Sequence, residues 1–260
     1  MKQPITLLNF SQEEHYLPDF VENEESQWLN LGSIEHTNLF CEKNALMEIK
    51  ETLAERRQSA ITFLGSGNYH YVSYLLLSEI KHPFTLVLFD HHTDALPSPS
   101  ESLISCGSWV LESLQNLSML EKVIIIGVSE DGREYLPLSI SDQVRIYPET
   151  TFHMDKQSMM SSILSSIPTE RVYISVDKDV LHTNEALTVW DQGSLKLHQL
   201  IEMIQMIVVK KRVYGIDICG EYPVNPSNAF EYQTREAIAK NEFANKCILN
   251  GLEHVERYAS

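Results

Sequence analysis

The sequence predicts an α/β fold: a single domain over residues 1–260, built as three α/β/α layers around a mostly parallel sheet. Three observations carry this expectation. Short apolar runs proceed without polar alternation, as strands buried on both faces do. The segments between them space their apolar residues as helices do, so strand and helix alternate along the chain. No internal repeat, Pro/Gly/Ser-rich linker or break in composition divides the chain.

The first 40 residues carry the weakest pattern; they include the acidic run Glu22-Asn23-Glu24-Glu25, expected to be a solvated surface. A helix is expected over 44–57, where Leu46, Ile49 and Leu53 share a face and Asn44 can cap it. Residues 61–64 read as a strand, followed by Gly65-Ser66-Gly67-Asn68-Tyr69-His70, whose glycines allow a tight turn into a helix over 70–80. The run 84–89 is the next strand, and 98–105, with Pro97 and Pro99 nearby, reads as a loop. Strands are expected at 123–126, 144–147, 172–176 and 213–218, with helices at 156–167 and 195–208. Ser227 or Asn228 can cap a last helix that reaches about Leu249.

Charge narrows the partners. With 36 Asp and Glu against 20 Lys and Arg, the formal charge of −16 repels phosphate backbones and anionic lipid, so neither nucleic acid nor a membrane is an expected partner. The longest apolar runs are strand-sized, short of the roughly 20 residues a membrane-spanning helix needs. The start, from Met1 to Phe10, lacks the apolar core and cleavage site of a signal peptide, so a cytoplasmic location is expected. Cys41, Cys106, Cys219 and Cys247 form no Cys-x-x-Cys pair, which leaves reduced thiols as the default.

Chemistry gathers at the carboxyl ends of strands, where open α/β sheets bind ligands. The strand 84–89 runs into Asp90-His91-His92-Thr93-Asp94; continued strand geometry turns Asp90, His92 and Asp94 to one side and His91 and Thr93 to the other. The strand 172–176 ends likewise in Asp177-Lys178-Asp179. Carboxylates crowded at an apolar strand end repel one another, and a divalent cation removes that penalty. Four aspartates exceed what one ion needs and suit two divalent ions sharing bridging carboxylates. His70 supplies a second imidazole, which makes the ligand set His70, Asp90, His92, Asp94, Asp177 and Asp179.

These motifs resemble those of the ureohydrolase family, the arginase, agmatinase and formiminoglutamase group of dimanganese hydrolases, with this chain a divergent member. The matches are Asp90-His91-His92-Thr93-Asp94 to an Asp-x-His-x-Asp strand end and Ser175-Val176-Asp177-Lys178-Asp179 to a later Ser-x-Asp-x-Asp strand end. Gly67-Asn68-Tyr69-His70 matches, more loosely, an upstream glycine-rich turn. The resemblance implies two Mn²⁺ ions, with another divalent metal as the alternative, one on His70, Asp90, Asp94 and Asp177 and the other on His92, Asp90, Asp177 and Asp179. It implies hydroxide attack on a guanidinium or amidine carbon, with Asp94 passing a proton to the departing nitrogen. It further implies a small cationic guanidino or amidino substrate and a homo-oligomer, a trimer or hexamer.

Departures fall on the substrate side. Tyr69 stands where the family has an Asp, Ala95-Leu96-Pro97 follows Asp94 in place of a substrate-binding Asn, and Cys106-Gly107 takes the place of a His-Gly pair, which makes Cys106 the candidate proton shuttle. His182 replaces a further Asp, and Thr188-Val189-Trp190-Asp191-Gln192-Gly193 replaces a Gly-Thr-rich loop, with Trp190 expected to line the substrate pocket. Glu221 lies four residues after Asp217, one more than usual; either Glu221 reaches the substrate through a bulge or Asp217 alone serves. Trp109 is expected to pack. Two other classes stay open: a deacetylase-like amidohydrolase using one zinc, and a non-catalytic relative that keeps the metal site.

Overall fold

Apolar runs without alternation become strands because a parallel sheet covered by helices buries both of their faces. The computed structural model of the protein describes residues 4–10, 26–56, 59–132 and 136–252. Its strands are β1 (Ile5–Asn9), β2 (Ser26–Asn30), β3 (Phe40–Glu42), β4 (Ile61–Gly65), β5 (Phe84–Phe89), β6 (Leu103–Ser105), β7 (Leu120–Ile126), β8 (Val144–Tyr147), β9 (Arg171–Asp177) and β10 (Arg212–Cys219). Among the described residues β3 and β6 pair antiparallel, and the other eight form one sheet in the order β2-β1-β4-β10-β9-β5-β7-β8. Every neighbouring pair in that sheet is parallel.

The helices are α1 (Lys43–Ala54), α2 (Val72–Ser78), α3 (Trp109–Asn116), α4 (Lys156–Ser166), α5 (Leu197–Lys210) and α6 (Tyr232–Leu252). Alternate residues of β5 decide the layers. Leu86 and Leu88 pack with Ile49 and Leu53 of α1, Leu76 of α2 and Val110 of α3, while Val87 and Phe89 pack with Ile163 of α4, Ile204 of α5 and Ile248 of α6. Each aliphatic side chain buried in these layers contributes roughly 1.5–3 kcal/mol. The three expected layers are therefore present, with α1 to α3 on one face and α4 to α6 on the other.

Several local expectations are corrected. Asn44 lies inside α1, and Glu42, in the capping position, makes no side-chain cap bond. The helix expected over 70–80 is present as α2, shorter at both ends, and a 3₁₀ turn, Gly67–Tyr69, precedes it. The loop expected over 98–105 contains β6, and α3, which no apolar stripe announced, follows it. Neither Ser227 nor Asn228 caps α6: both backbone N–H groups donate to the Asn225 side chain, closing a turn ahead of the helix. The N-terminal segment supplies two strands, β1 and β2, at one end of the sheet. The acidic run at 22–25 lies outside the described residues. No helix among the described residues is long and apolar enough to cross a membrane.

The strand order sets up the site. β4, β10, β9 and β5 are consecutive in the sheet, and their carboxyl ends carry His70, Asp217 with Glu221, Asp177 with Asp179, and Asp90 to Asp94. Register keeps these ends level, with Phe89 opposite Val176 and Cys219 opposite Asp177.

Candidate metal centre

β5 ends at Phe89, so Asp90 to Asp94 form a bend rather than a continued strand. The expected sorting of side chains nonetheless holds, by other means. The Asp90 Oδ1 accepts the His92 backbone N–H at 2.6 Å, and Asp94 adopts φ +50, a left-handed conformation that Asp tolerates better than most residues. His91 turns away, its Nδ1 3.3 Å from the Gly127 carbonyl and its backbone N–H donating to Asp179 Oδ1 at 3.1 Å. The β9 end folds similarly, with the Asp179 N–H donating to Asp177 Oδ1 at 3.0 Å as the chain enters a 3₁₀ turn.

The six predicted ligands converge. His70 Nδ1 lies 3.1 Å from Asp94 Oδ2, 3.4 Å from Asp90 Oδ2 and 3.6 Å from Asp177 Oδ2. His92 Nδ1 lies 3.0 Å from Asp179 Oδ2 and 3.5 Å from Asp90 Oδ1. Two donor sets, His70 with Asp90 and Asp94, and Asp90 with His92 and Asp179, each bring one ligand atom per residue within 4.8 Å of the others. They share Asp90. Its Oδ2 is buried with no hydrogen-bond partner among the described residues, a costly state for a carboxylate unless a cation is its intended neighbour. Glycine makes the room: a Cβ at Gly67 would sit 2.8 Å from Asp177 Oδ2. Oxygen and imidazole donors in these numbers suit two divalent cations.

A further layer of side chains holds these groups. The Trp109 indole, expected only to pack, donates to Asp94 Oδ2 at 2.6 Å, and the Asp94 carbonyl accepts from Val110 at the start of α3. His70 Nε2 lies 2.8 Å from the Ser175 hydroxyl, which donates to Asp217 Oδ1 at 2.6 Å. This chain of bonds fixes which face of the His70 ring meets the carboxylates. Asp217, expected to bind substrate, is instead fully buried behind Ser175, whose hydroxyl it binds. Ser175 was visible in the Ser-x-Asp-x-Asp motif; Trp109 carried no local signal.

The electrostatics of the cluster favour bound protons on its imidazoles and carboxylates. Burial alone would lower the pKa of both imidazoles, but Asp94, Asp177 and Asp90 raise His70 to about 10, and Asp179 and Asp90 raise His92 to about 12. Burial, with Asp179 beside it, raises Asp177 to about 6, and burial with Asp94 and Asp179 holds Asp90 well above the usual carboxylate range.

The rim departs from expectation. Glu221 does not present a free charge: its Oε1 is bonded by the Lys178 ammonium and accepts from Asn245 Nδ2 at 2.8 Å. Lys178 turns away from the metal ligands, as the spacing predicts, and is wholly buried, with Asn245 Oδ1 3.1 Å from its Nζ. Cys106 is half-buried near Asp94, and burial together with Asp94 and Asp177 pushes its thiol far up, so near neutral pH it stays a thiol that holds its proton, which speaks against the expected role as a proton shuttle. Trp190, 37% exposed, stands edge-on to His92 with centroids 5.9 Å apart and donates to Asn68 Oδ1 at 3.0 Å. His182 is not drawn into the cluster; its Nδ1 accepts from the Asn184 backbone at 3.1 Å.

Comparison with known proteins bears on the family and the fold. The arginase family model matches residues 5–244. An uncharacterized protein of Thermotoga maritima is 35% identical over 161 residues, 62% of this chain; the match spans 58% of that relative's length. Formimidoylglutamase from Bacillus subtilis superposes with a TM-score of 0.68 at 18% identity, covering 98% of this chain and 88% of its own. A hypothetical agmatinase from Burkholderia thailandensis gives 0.64 at 14% identity, covering 97% and 86%. At such identities the two structures speak for the fold.

Proposed function

The chain belongs to the arginase family, and from that premise we propose that it is a binuclear metal hydrolase, a single catalytic domain cleaving a linear C–N bond of a small guanidino or amidino compound. The observation that carries the reading is the pair of donor sets sharing Asp90, whose Oδ2 is buried without a partner among the described residues. His70, Asp90, Asp94 and Asp177 would hold one ion and His92, Asp90, Asp177 and Asp179 the other, with Mn²⁺ the family's usual metal. Divalent ions there would supply Lewis acidity and a hydroxide source near neutral pH.

The chain's own groups do the rest. Asp94 is oriented by Trp109 at Oδ2, which leaves Oδ1 to take a proton and deliver it to the departing nitrogen. Cys106, kept as a thiol, offers an S–H hydrogen-bond donor beside it rather than a proton to transfer. Trp190 offers a half-exposed aromatic face, which attracts a planar cation without a carboxylate at the rim. With Glu221 engaged by Lys178, substrate charge is read by this ring and by the aspartates of the floor. A homo-oligomer, trimer or hexamer, is part of the same proposal.

The test is urea, ammonia or formamide release by the metal-loaded protein across a panel of guanidino and amidino compounds. Turnover of at least one, exceeding turnover of acetyl-lysine amides, is the expected result. Efficient deacetylation without guanidine or amidine hydrolysis would move the protein to the one-zinc class, and no turnover by a protein with both ions bound would leave it a metal-binding relative.

A further inference from the structure

The strand that closes the back of the centre ends in a sulfur. Between Ile218 and Cys219 the pairing of β10 with β4 shifts register, so Cys219 lies level with both Asp177 on β9 and Gly65 on β4. Gly220 then takes φ +91, and a Cβ there would sit 2.7 Å from Asp177 Oδ1. The result is a thiol aimed at a metal ligand: Cys219 Sγ donates to Asp177 Oδ2 at 3.1 Å. One donor atom each of His70, Asp177 and Cys219 lies within 4.8 Å of the others, a third donor set beside the two already described. All three side chains are buried, with Cys219 at 0% and His70 at 1% exposure. A second observation lies on the same imidazole: Asp90 Oδ2, 1% exposed and without a hydrogen-bond partner among the described residues, stands 3.4 Å from His70 Nδ1, a buried carboxylate oxygen left for a cation.

We propose that Cys219 is a thiolate ligand of the ion held by His70 and Asp177, and that this sulfur gives the centre a preference for a borderline divalent ion, Zn²⁺ or Co²⁺, over Mn²⁺. The inference rests on metal binding at this centre as proposed above and concerns which ion it selects. All-oxygen and imidazole sets suit Mn²⁺, whereas a thiolate favours softer ions. With an ion bound, Cys219 would lose its S–H proton to solvent and its sulfur would supply an electron pair, with no change of oxidation state. Burial keeps the sulfur from solvent oxidants and from other thiols, and leaves the S–H of Cys219 directed at Asp177.

Cobalt distinguishes the two layers of this reading. The full chain is stripped with a chelator and reloaded with Co²⁺, and bound cobalt is counted by elemental analysis and visible absorption. The expected spectrum adds a near-ultraviolet thiolate-to-cobalt charge-transfer band. That band persists in the Cys41→Ala/Cys106→Ala/Cys247→Ala protein, where Cys219 is the one remaining thiol of the four, and disappears in Cys219→Ala. In competition assays the preference of the wild type for Zn²⁺ over Mn²⁺ falls by about tenfold or more in Cys219→Ala, the scale on which a group around a bound metal typically acts. Bound cobalt without the charge-transfer band would overturn the role of Cys219 and leave the metal centre standing. Failure to bind cobalt at all would overturn both. If Cys219→Ala does not fold, the wild type and the triple variant still decide.

Discussion

Asp90, His92 and Asp94 reach the centre within five residues of the end of β5, whereas Glu221 finds its partners only across the fold, in Lys178 of the 3₁₀ turn after β9 and Asn245 on α6. The floor of the site is thus made of short-range geometry and the rim of tertiary contacts. On the floor, carboxylates crowd together and only cations, or protons in their absence, compensate them. On the rim, a carboxylate that looks free in the sequence is neutralised inside the protein. Like-looking acids therefore serve opposite ends, the first open to a ligand and the second committed to the fold.

Removing a shared charge from the floor should have the largest effect. Asp90→Asn and Asp177→Asn are each expected to lower metal affinity by about a hundredfold or more and to abolish turnover, read by elemental analysis and activity, since each deprives two ions of a ligand. His91→Ala, whose ring faces the Gly127 carbonyl, should keep both ions. Equal metal content in wild type and Asp90→Asn would erase the distinction between floor and rim.

The rim predicts a stability effect instead. Glu221→Gln strands the buried Lys178 ammonium, which should cost about 3–5 kcal/mol in denaturant unfolding. The double variant Lys178→Met/Glu221→Gln should recover most of that loss, because no unpaired charge is left behind. A Glu221→Gln protein of normal stability with a raised KM would instead return Glu221 to the substrate.

Acidity separates metal-free from metal-loaded protein. His70 at about 10 and His92 at about 12, against 6.5 when unfolded, and Asp177 at about 6 against 3.8, all bind protons more tightly in the folded state. The stability they contribute is full at low pH. The Asp177 share is lost as pH rises through about 6, and the histidine share as pH rises from 6.5 through about 10 and 12. The Tm of chelator-treated protein should therefore fall between neutral and alkaline pH, while the gain in Tm on adding metal should grow over the same range. A metal-free Tm that rises with pH would contradict the proton-filled floor.

The smallest effect is expected at Cys106. Cys106→Ser replaces one neutral hydrogen-bond donor by another, so turnover should change by no more than a fewfold, and metal content should not change. Loss of metal would make Cys106 part of the floor.

How much the sequence showed follows the same division. Asp90, His92, Asp94, Asp177 and Asp179 were readable because strand ends and two-residue spacing are local, and β5 and β8 came out with the boundaries the apolar runs predict. The strand β2 was not, since it is an edge strand whose Ser26, Gln27 and Trp28 are only half-buried and so carry no continuous apolar run. Trp109, Asn245 and the true partner of Glu221 were equally hidden, because nothing near them in sequence reports a contact made across the fold. Asp217 misled for a related reason: its place at a strand end is shared with the ligands, but Ser175 stands between it and the site.

The central claim, that Asp90 is shared by two divalent ions, is tested most directly by anomalous diffraction from crystals of the Mn²⁺-loaded or Zn²⁺-loaded protein. Two anomalous peaks are expected, one on each side of the Asp90 carboxylate, the first within bonding distance of His70 and the second of His92. A single peak, or a peak that leaves Asp90 uncoordinated, would contradict it.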